Sequence, residues 1–319
     1  MPNLRKSTLK IVAVVCSDLH FSGSPPIARS AEPDWYEAMR RQWSQLRQVA
    51  GLYKVPVIVA GDIFDHWKSS PQVISFAIEM FSGLRVFAVP GQHDLPNHSY
   101  GDIKRSAYWT LVEAGAVNNV EPGCRYDVNG MMLFGFPWGT DIVPQVPRED
   151  GRVDYLLNVA VIHKYVWTGE YKYQGAPSED EVTGLKRALN GYDVAIIGDN
   201  HKGFMSNVGG CRVMNCGGFI PRKSDERDMK PWFGVLDSRG DIEPVFLDLS
   251  GDKWLDEEAL LRKVDETLDL RDLVNGLESL GVDALDFADV LIRYLDQHKV
   301  SSTIRRLVTS SLDKGKKSA

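Results

Sequence analysis

Five short segments carry the residue types that could do chemistry: Ser17-Asp18-Leu19-His20, Gly61-Asp62-Ile63-Phe64-Asp65, Gly91-Gln92-His93-Asp94, Val161-Ile162-His163 and Gly198-Asp199-Asn200-His201. Between them they offer carboxylates, imidazoles and an amide oxygen, a donor set suited to divalent cations. Asp18 and His20 are two apart, one supplying an oxygen and the other a nitrogen. Gly61 leaves room around Asp62 for a carboxylate that bridges two cations, while Asp65 is better placed to hydrogen-bond its own loop. Gln92 offers a neutral oxygen. Asp94 is expected to orient the His93 imidazole and favour its charged form, which makes His93 a candidate acid for a leaving alkoxide. A lone strand-end histidine such as His163 or His201 is more often an ordinary core or surface group. Five such segments in order, each after an apolar run of strand length, point instead to one crevice holding two metals, a device for phosphoester hydrolysis.

The elements that must position these residues follow from hydrophobic periodicity. Apolar runs at Leu9–Cys16, Val55–Ala60 and Leu84–Val89 predict buried strands, and helical spacing at Trp35, Met39, Trp43, Leu46 and Ala50, at 71–81 and at 103–114 predicts the helices between and after them. That βαβαβα alternation is the mark of a doubly wound sheet. The second half reads as short strands (131–134, 155–162, 194–197, 203–208 and 211–214), one helix near 178–189, and a hairpin of 232–237 with 242–247. Two packed mixed sheets flanked by helices accommodate this pattern.

With 319 residues, 43% of them hydrophobic and 25% charged, the chain has room for one large domain, taken as 1–250, and an appendage at 251–312, with a disordered tail at 313–319. Residues 251–300 carry 13 acidic and 6 basic side chains, a balance of −7 against −6 for the whole chain, so the remainder is close to neutral. Their amphipathic helical pattern suits a cap on the main domain or a surface for a partner, with Asp256-Glu257-Glu258 at a helix N-terminus. Four scattered cysteines do not make a disulfide framework. No apolar stretch is long enough to span a bilayer, and the first residues do not read as a signal peptide, so a cytoplasmic location is expected.

The set of motifs resembles the calcineurin-like metallophosphoesterases, whose series is DxH, GDxxD, GNHD or GNHE, a lone His, and GHxH. The resemblance covers about residues 10–248. Within that superfamily, Gly61–Asp65, Gly91–Pro96 and Asn215–Arg222 look most like the SbcD-type DNA repair exonucleases, in a phage or bacterial branch. The resemblance implies a four-layer α/β/β/α sandwich and two metals, typically manganese, with magnesium as the other candidate. Carried over, Asp18, His20, Asp62 and His201 would hold the first metal, with Asp62 bridging; Gln92, His163 and Asp199 would complete the second. A water shared by the metals would attack phosphorus while His93 assists the leaving oxygen. Two positions depart from the pattern. Gln92 stands where the family usually has Asn, and Asp199 replaces the first His of GHxH. Three carboxylates, two divalent cations and one hydroxide then sum to zero charge, and the exchange of a nitrogen ligand for an anionic oxygen is expected to favour hard, oxygen-loving ions such as Mn²⁺ or Mg²⁺ over zinc.

The metal ligands alone do not select a substrate. His66 and Leu95 stand where protein phosphatases of the superfamily carry arginines, which weakens that assignment. Basic residues near the motifs, Lys68, Lys164, Lys202 and Arg222 foremost, suit a DNA backbone. The expected function is therefore a DNA exo- or endonuclease, with an SbcC-type ATPase subunit and a second copy of the chain as possible partners implied by the resemblance. A small-molecule phosphodiesterase or phosphomonoesterase is the alternative, and a catalytically weak metal-binding scaffold a third.

Overall fold

The computed structural model describes residues 10–145, 157–169, 177–256, 258–260 and 263. Strands β1 (Ile11–Cys16), β2 (Val57–Ala60) and β3 (Val86–Val89) are buried along almost their whole length, as strands covered on both faces must be, and they pair in parallel. The crossovers between them are α1 (Trp35–Tyr53) and α2 (Pro71–Phe81), and α3 (Ala107–Glu113) leads to the two-residue β4 (Asn118–Asn119), parallel to β3. Each helix starts on a side-chain cap: Asp34 accepts from the Glu37 N–H, Ser70 from Val73, and Ser106 from Trp109. Ser106 also explains why the expected helix over 103–114 is divided. Residues Tyr100–Arg105 form a 3₁₀ turn, and the α-helix begins only after the serine.

Strands β5 (Arg125–Val128), β6 (Met131–Phe136), β7 (Leu157–His163), β8 (Val194–Gly198), β9 (Phe204–Val208) and β10 (Cys211–Asn215) form a second sheet, and β11 (Trp232–Asp237) with β12 (Ile242–Phe246) is the hairpin that returns to the first. The orders are β12-β11-β1-β2-β3-β4 and β5-β6-β7-β8-β10-β9, both mixed. Period-2 alternation in the second sheet sends Leu133, Val159, Val161, Val194, Ile196 and Met214 into the core shared with the first sheet. Phe134, Ala160, Ile162, Ala195, Ile197 and Val213 face a separate outer cluster. The result is the two-sheet α/β sandwich expected from the motifs.

One element differs. The helix expected at 178–189 is a pair of 3₁₀ turns, Ser178–Asp180 and Val182–Lys186, which bring Val182 and Leu185 onto the outer cluster. The cause is local pairing: Trp167 N–H donates to the Asp180 carbonyl and Val182 N–H to the Trp167 carbonyl, so Glu181 is pulled into an extended conformation where a helix would run.

The chain divides into two compact units, one of residues 1–25 and 32–252, the other of 26–31 and 253–319. In the second, Arg29 Nε donates to the Lys253 carbonyl with its guanidinium 4.7 Å from the Trp254 ring, and Asp256 Oδ1 accepts from Ala259 N–H at a helix start. The rest of the expected acidic appendage and the tail lie outside the described residues. No helix among the described residues is long and apolar enough to cross a membrane.

Candidate metal centre

All five motifs fall at the C-terminal ends of parallel strands: β1, β2 and β3 in one sheet, β7 and β8 in the other. That is where open α/β sheets present a crevice. Beyond β1 and β2 the chains keep running side by side, with Asp18 N–H donating to the Gly61 carbonyl, His20 N–H to Asp62 and Phe21 N–H to Ile63. This short ladder is bent by unusual backbone. Asp18 (φ 53°), His20 (φ 47°), Asp62 (φ 52°) and Asp199 (φ 93°) all lie in the left-handed region, which costs non-glycine residues roughly 1–3 kcal/mol each and persists only where the surroundings impose it.

Two glycines make the approach possible. A Cβ on Gly61 would collide with the His163 ring, and one on Gly91 with the Asp62 carboxylate.

The side chains converge in three overlapping groups whose ligand atoms lie within 4.8 Å of one another: Asp18, His20 and His201; His20, Asp62 and His93; Asp18, Asp62 and His163. His20 Nε2 and His201 Nε2 are 3.0 Å apart. Two donors at right angles around one ion, each 2.0–2.1 Å from it, are about 3.0 Å apart. Asp62 Oδ2 stands 3.4 Å from His163 Nε2 and 3.8 Å from His20 Nε2, while its Oδ1 accepts the His93 N–H at 2.9 Å. Nδ1 of His163 donates to the Ala60 carbonyl at 2.7 Å, fixing the ring so that Nε2 faces Asp62, and that buried Nε2 has no hydrogen-bond partner. An orphaned imidazole nitrogen aimed at a buried carboxylate is the condition a cation resolves, so these residues fit a metal pair.

The electrostatics agree. Burial pushes the His20 pKa down to about 3, against the pull of Asp62, so this imidazole is neutral and able to ligate. At His163 burial also opposes the charged form, but Asp62, Asp18 and Asp199 outweigh it and raise the pKa. Burial raises Asp18, partly countered by His163 and His201. Asp62 is held below the usual carboxylate range: burial opposes its charge, but His163 and His20 prevail. The crevice demands positive charge.

Gln92 and Asp199 lie together, Gln92 Nε2 donating to Asp199 Oδ1 at 3.2 Å, and the Asp199 N–H donates to the Asp18 carboxylate at 3.0 and 3.2 Å. Burial pushes the Asp199 carboxyl up to about 6, with His163 pulling the other way and Asp18 and Asp62 adding to the rise.

Other sequence-based expectations need correction. Asp94 does not reach the His93 ring. Its carboxylate turns back to accept the N–H groups of Ile63, Phe64 and Gly91, at 3.2, 3.0 and 3.0 Å, because the 3₁₀ turn Gln92–Asp94 directs it inward. Asp94 therefore ties the Asp62 loop to the His93 loop, and burial together with the Asp62 charge lifts it to about 7. The ring of His93 is oriented instead by the Asp65 carbonyl, 2.7 Å from Nδ1. A carbonyl only accepts, so Nδ1 carries a proton and donates it to Asp65.

Of the four basic residues expected to meet substrate, Arg222 is ion-paired with Asp65 and Lys164 with Asp180 at 2.8 Å. Lys68 is exposed on the loop after Asp65. Only Lys202 lines the cleft that opens from His93, Asp199 and His201. This cleft, about 680 Å³, is also lined by Lys223, Lys230, Met229 and Trp232, together with the acids Asp225 and Glu226. Glu226 escaped the sequence reading altogether. It follows no apolar run and belongs to no motif spacing.

The family model for calcineurin-like phosphoesterases matches residues 11–203, more than half of the chain. The chain belongs to that family, whose members hydrolyse phosphoesters with metal ions, typically two divalent cations. No curated protein sequence matches it. Among solved structures it is similar to an archaeal phosphodiesterase (15% identity, TM-score 0.38, covering 74% of this chain and 99% of that one). It is also similar to a sulfate thiohydrolase from Thermus thermophilus (12%, TM-score 0.44, 81% and 60%) and to a putative 5′-nucleotidase from Staphylococcus aureus (14%, TM-score 0.42, 81% and 58%). Likenesses this distant say nothing of substrate.

Proposed function

We propose that this protein is a two-metal phosphodiesterase acting on DNA, with Asp18, His20, Asp62 and His201 holding one cation, and Asp62, His163, Asp199 and the Gln92 amide the other. The observation that carries the metal centre is the convergence of the three ligand groups on Asp62 and Asp18 around an orphaned His163 Nε2. A cation pair there supplies Lewis-acid charge at a phosphoryl oxygen and a nucleophile at neutral pH. The chain's own residues do the rest. Asp62 fixes the His93 backbone, the Asp65 carbonyl fixes its ring, and Nε2 is left to deliver a proton to the leaving oxygen.

The polynucleotide assignment is supported by the cleft beside His93. Lys202, Lys223 and Lys230 line it where further phosphates of a strand would pass, and Trp232 and Met229 add apolar surface for a base. Incubation with Mn²⁺ and linear double-stranded DNA, in parallel with bis-p-nitrophenyl phosphate and mononucleotides, tests it. Shortening of the DNA, weakening steeply with salt, is the expected result. Turnover confined to small substrates would replace DNA by a small phosphoester, and no turnover of any substrate would leave a metal-binding scaffold.

The pairing of Gln92 with Asp199 carries a separate prediction. Substituting Asp199→His exchanges an anionic oxygen for a nitrogen, so the ratio of Zn²⁺- to Mn²⁺-supported activity should rise by at least about tenfold. An unchanged metal profile would show that Asp199 does not set ion preference.

A further inference from the structure

We infer that Arg222 and Glu226 form a clasp behind the metal centre that fixes which nitrogen His20 and His201 present to the cation. The inference rests on the metal-centre reading above. The two imidazoles meet Nε2 to Nε2 at 3.0 Å, so their Nδ1 atoms point away from one another, and a carboxylate stands behind each. Behind His201 Nδ1 is Glu226 Oε1 at 3.6 Å; behind His20 Nδ1 is Asp65 Oδ1 at 3.7 Å.

Both carboxylates are anchored by the same stretch of chain. Arg222 holds Asp65 through an ion pair, and the other oxygen of Glu226 accepts the N–H of Arg222 at 2.7 Å and of Lys223 at 3.1 Å. The chain of contacts thus runs His20, Asp65, Arg222, Glu226, His201, starting and ending on the two facing rings. Glu226 is only 8% exposed, and His20 Nδ1 is buried without a hydrogen-bond partner, so neither group is a solvated bystander.

The chemistry follows from tautomerism. A carboxylate charge 3.6–3.7 Å behind Nδ1 favours the tautomer with the proton on that nitrogen and the lone pair on Nε2, aimed at the cation, and makes the imidazole a stronger donor. Glu226 acts here on one ligand directly and on the other through the backbone of Arg222. Neither Arg222 nor Glu226 touches the reacting atoms; both are positioning residues. The ion pair with Asp65 also explains why Arg222, expected from the sequence to meet substrate, does not line the cleft.

The test uses full-length protein stripped with chelator, comparing wild type with Glu226→Gln, which keeps shape and an acceptor for the two amides but removes the charge. Mn²⁺ titration by calorimetry is paired with thermal melting in chelator. The expected result is a melting temperature in chelator equal to that of wild type and a loss of about 10–100-fold in affinity at one of the two Mn²⁺ sites, with the other unchanged. Glu226→Asp, retaining the anion on a shorter arm, should recover part of that loss. Wild-type protein that binds no Mn²⁺ would overturn the metal centre and the clasp together. Wild type binding two ions with Glu226→Gln matching it at both sites would overturn the clasp alone. So would a variant that melts lower in chelator yet binds Mn²⁺ as wild type does, because Glu226 would then serve the fold.

Discussion

Asp62→Asn should lower phosphodiesterase kcat/KM by about 10²–10⁴ and remove at least one of the two bound Mn²⁺ ions. Asp62 is the residue on which two of the ligand groups overlap, within 3.4 Å of His163 and 3.8 Å of His20. Removing one partner from a buried charged cluster costs about 3–5 kcal/mol, and each 1.4 kcal/mol is tenfold. The asparagine keeps the shape and the oxygen that accepts the His93 N–H, so the loop should stay in place and the loss should be electrostatic. Activity and metal stoichiometry, measured on the same preparation, check this. Near-wild-type values for both would remove Asp62 from the centre.

The second large effect belongs to His93. Substitution by Ala should lower kcat by about 10²–10⁴, the usual contribution of a positioned acid, while leaving Mn²⁺ stoichiometry intact. The reason is its placement: Nδ1 is occupied by the Asp65 carbonyl, and the residue lines the cleft where a leaving group would depart. A nitrophenolate ester needs little help from an acid, so His93→Ala should be much less damaging with bis-p-nitrophenyl phosphate than with DNA. Equal losses on both substrates, or loss of bound metal, would argue for a ligand or structural role instead.

The strands that carry the motifs were legible in the sequence because a buried parallel strand is a short continuous apolar run, and β1, β2, β3, β7 and β8 all have that form. The motif residues were legible for the same reason: each follows such a run, and parallel strands deliver their C-terminal ends to one edge.

What could not be read was set by three-dimensional partners. Val182, Leu185 and Leu189 have helical spacing, yet pairing with Trp167 converts the segment to 3₁₀ turns. Asp94 adjoins His93 in the chain and looks like its partner, but a tight turn sends the carboxylate to three amides while a backbone carbonyl takes its place. Glu226 lies 25 residues beyond His201 and approaches it only because the loop after β10 folds back. The left-handed backbone at Asp18, His20, Asp62 and Asp199 leaves no signal in residue type beyond the tolerance of Asp for that conformation.

The most direct test of the account is anomalous diffraction from crystals soaked in Mn²⁺. Two peaks about 3.5–4 Å apart, flanking the Asp62 carboxylate with His20 and His201 on one and His163 on the other, are the predicted result. No peak within reach of Asp62, or Mn²⁺ bound only elsewhere on the protein, would contradict it.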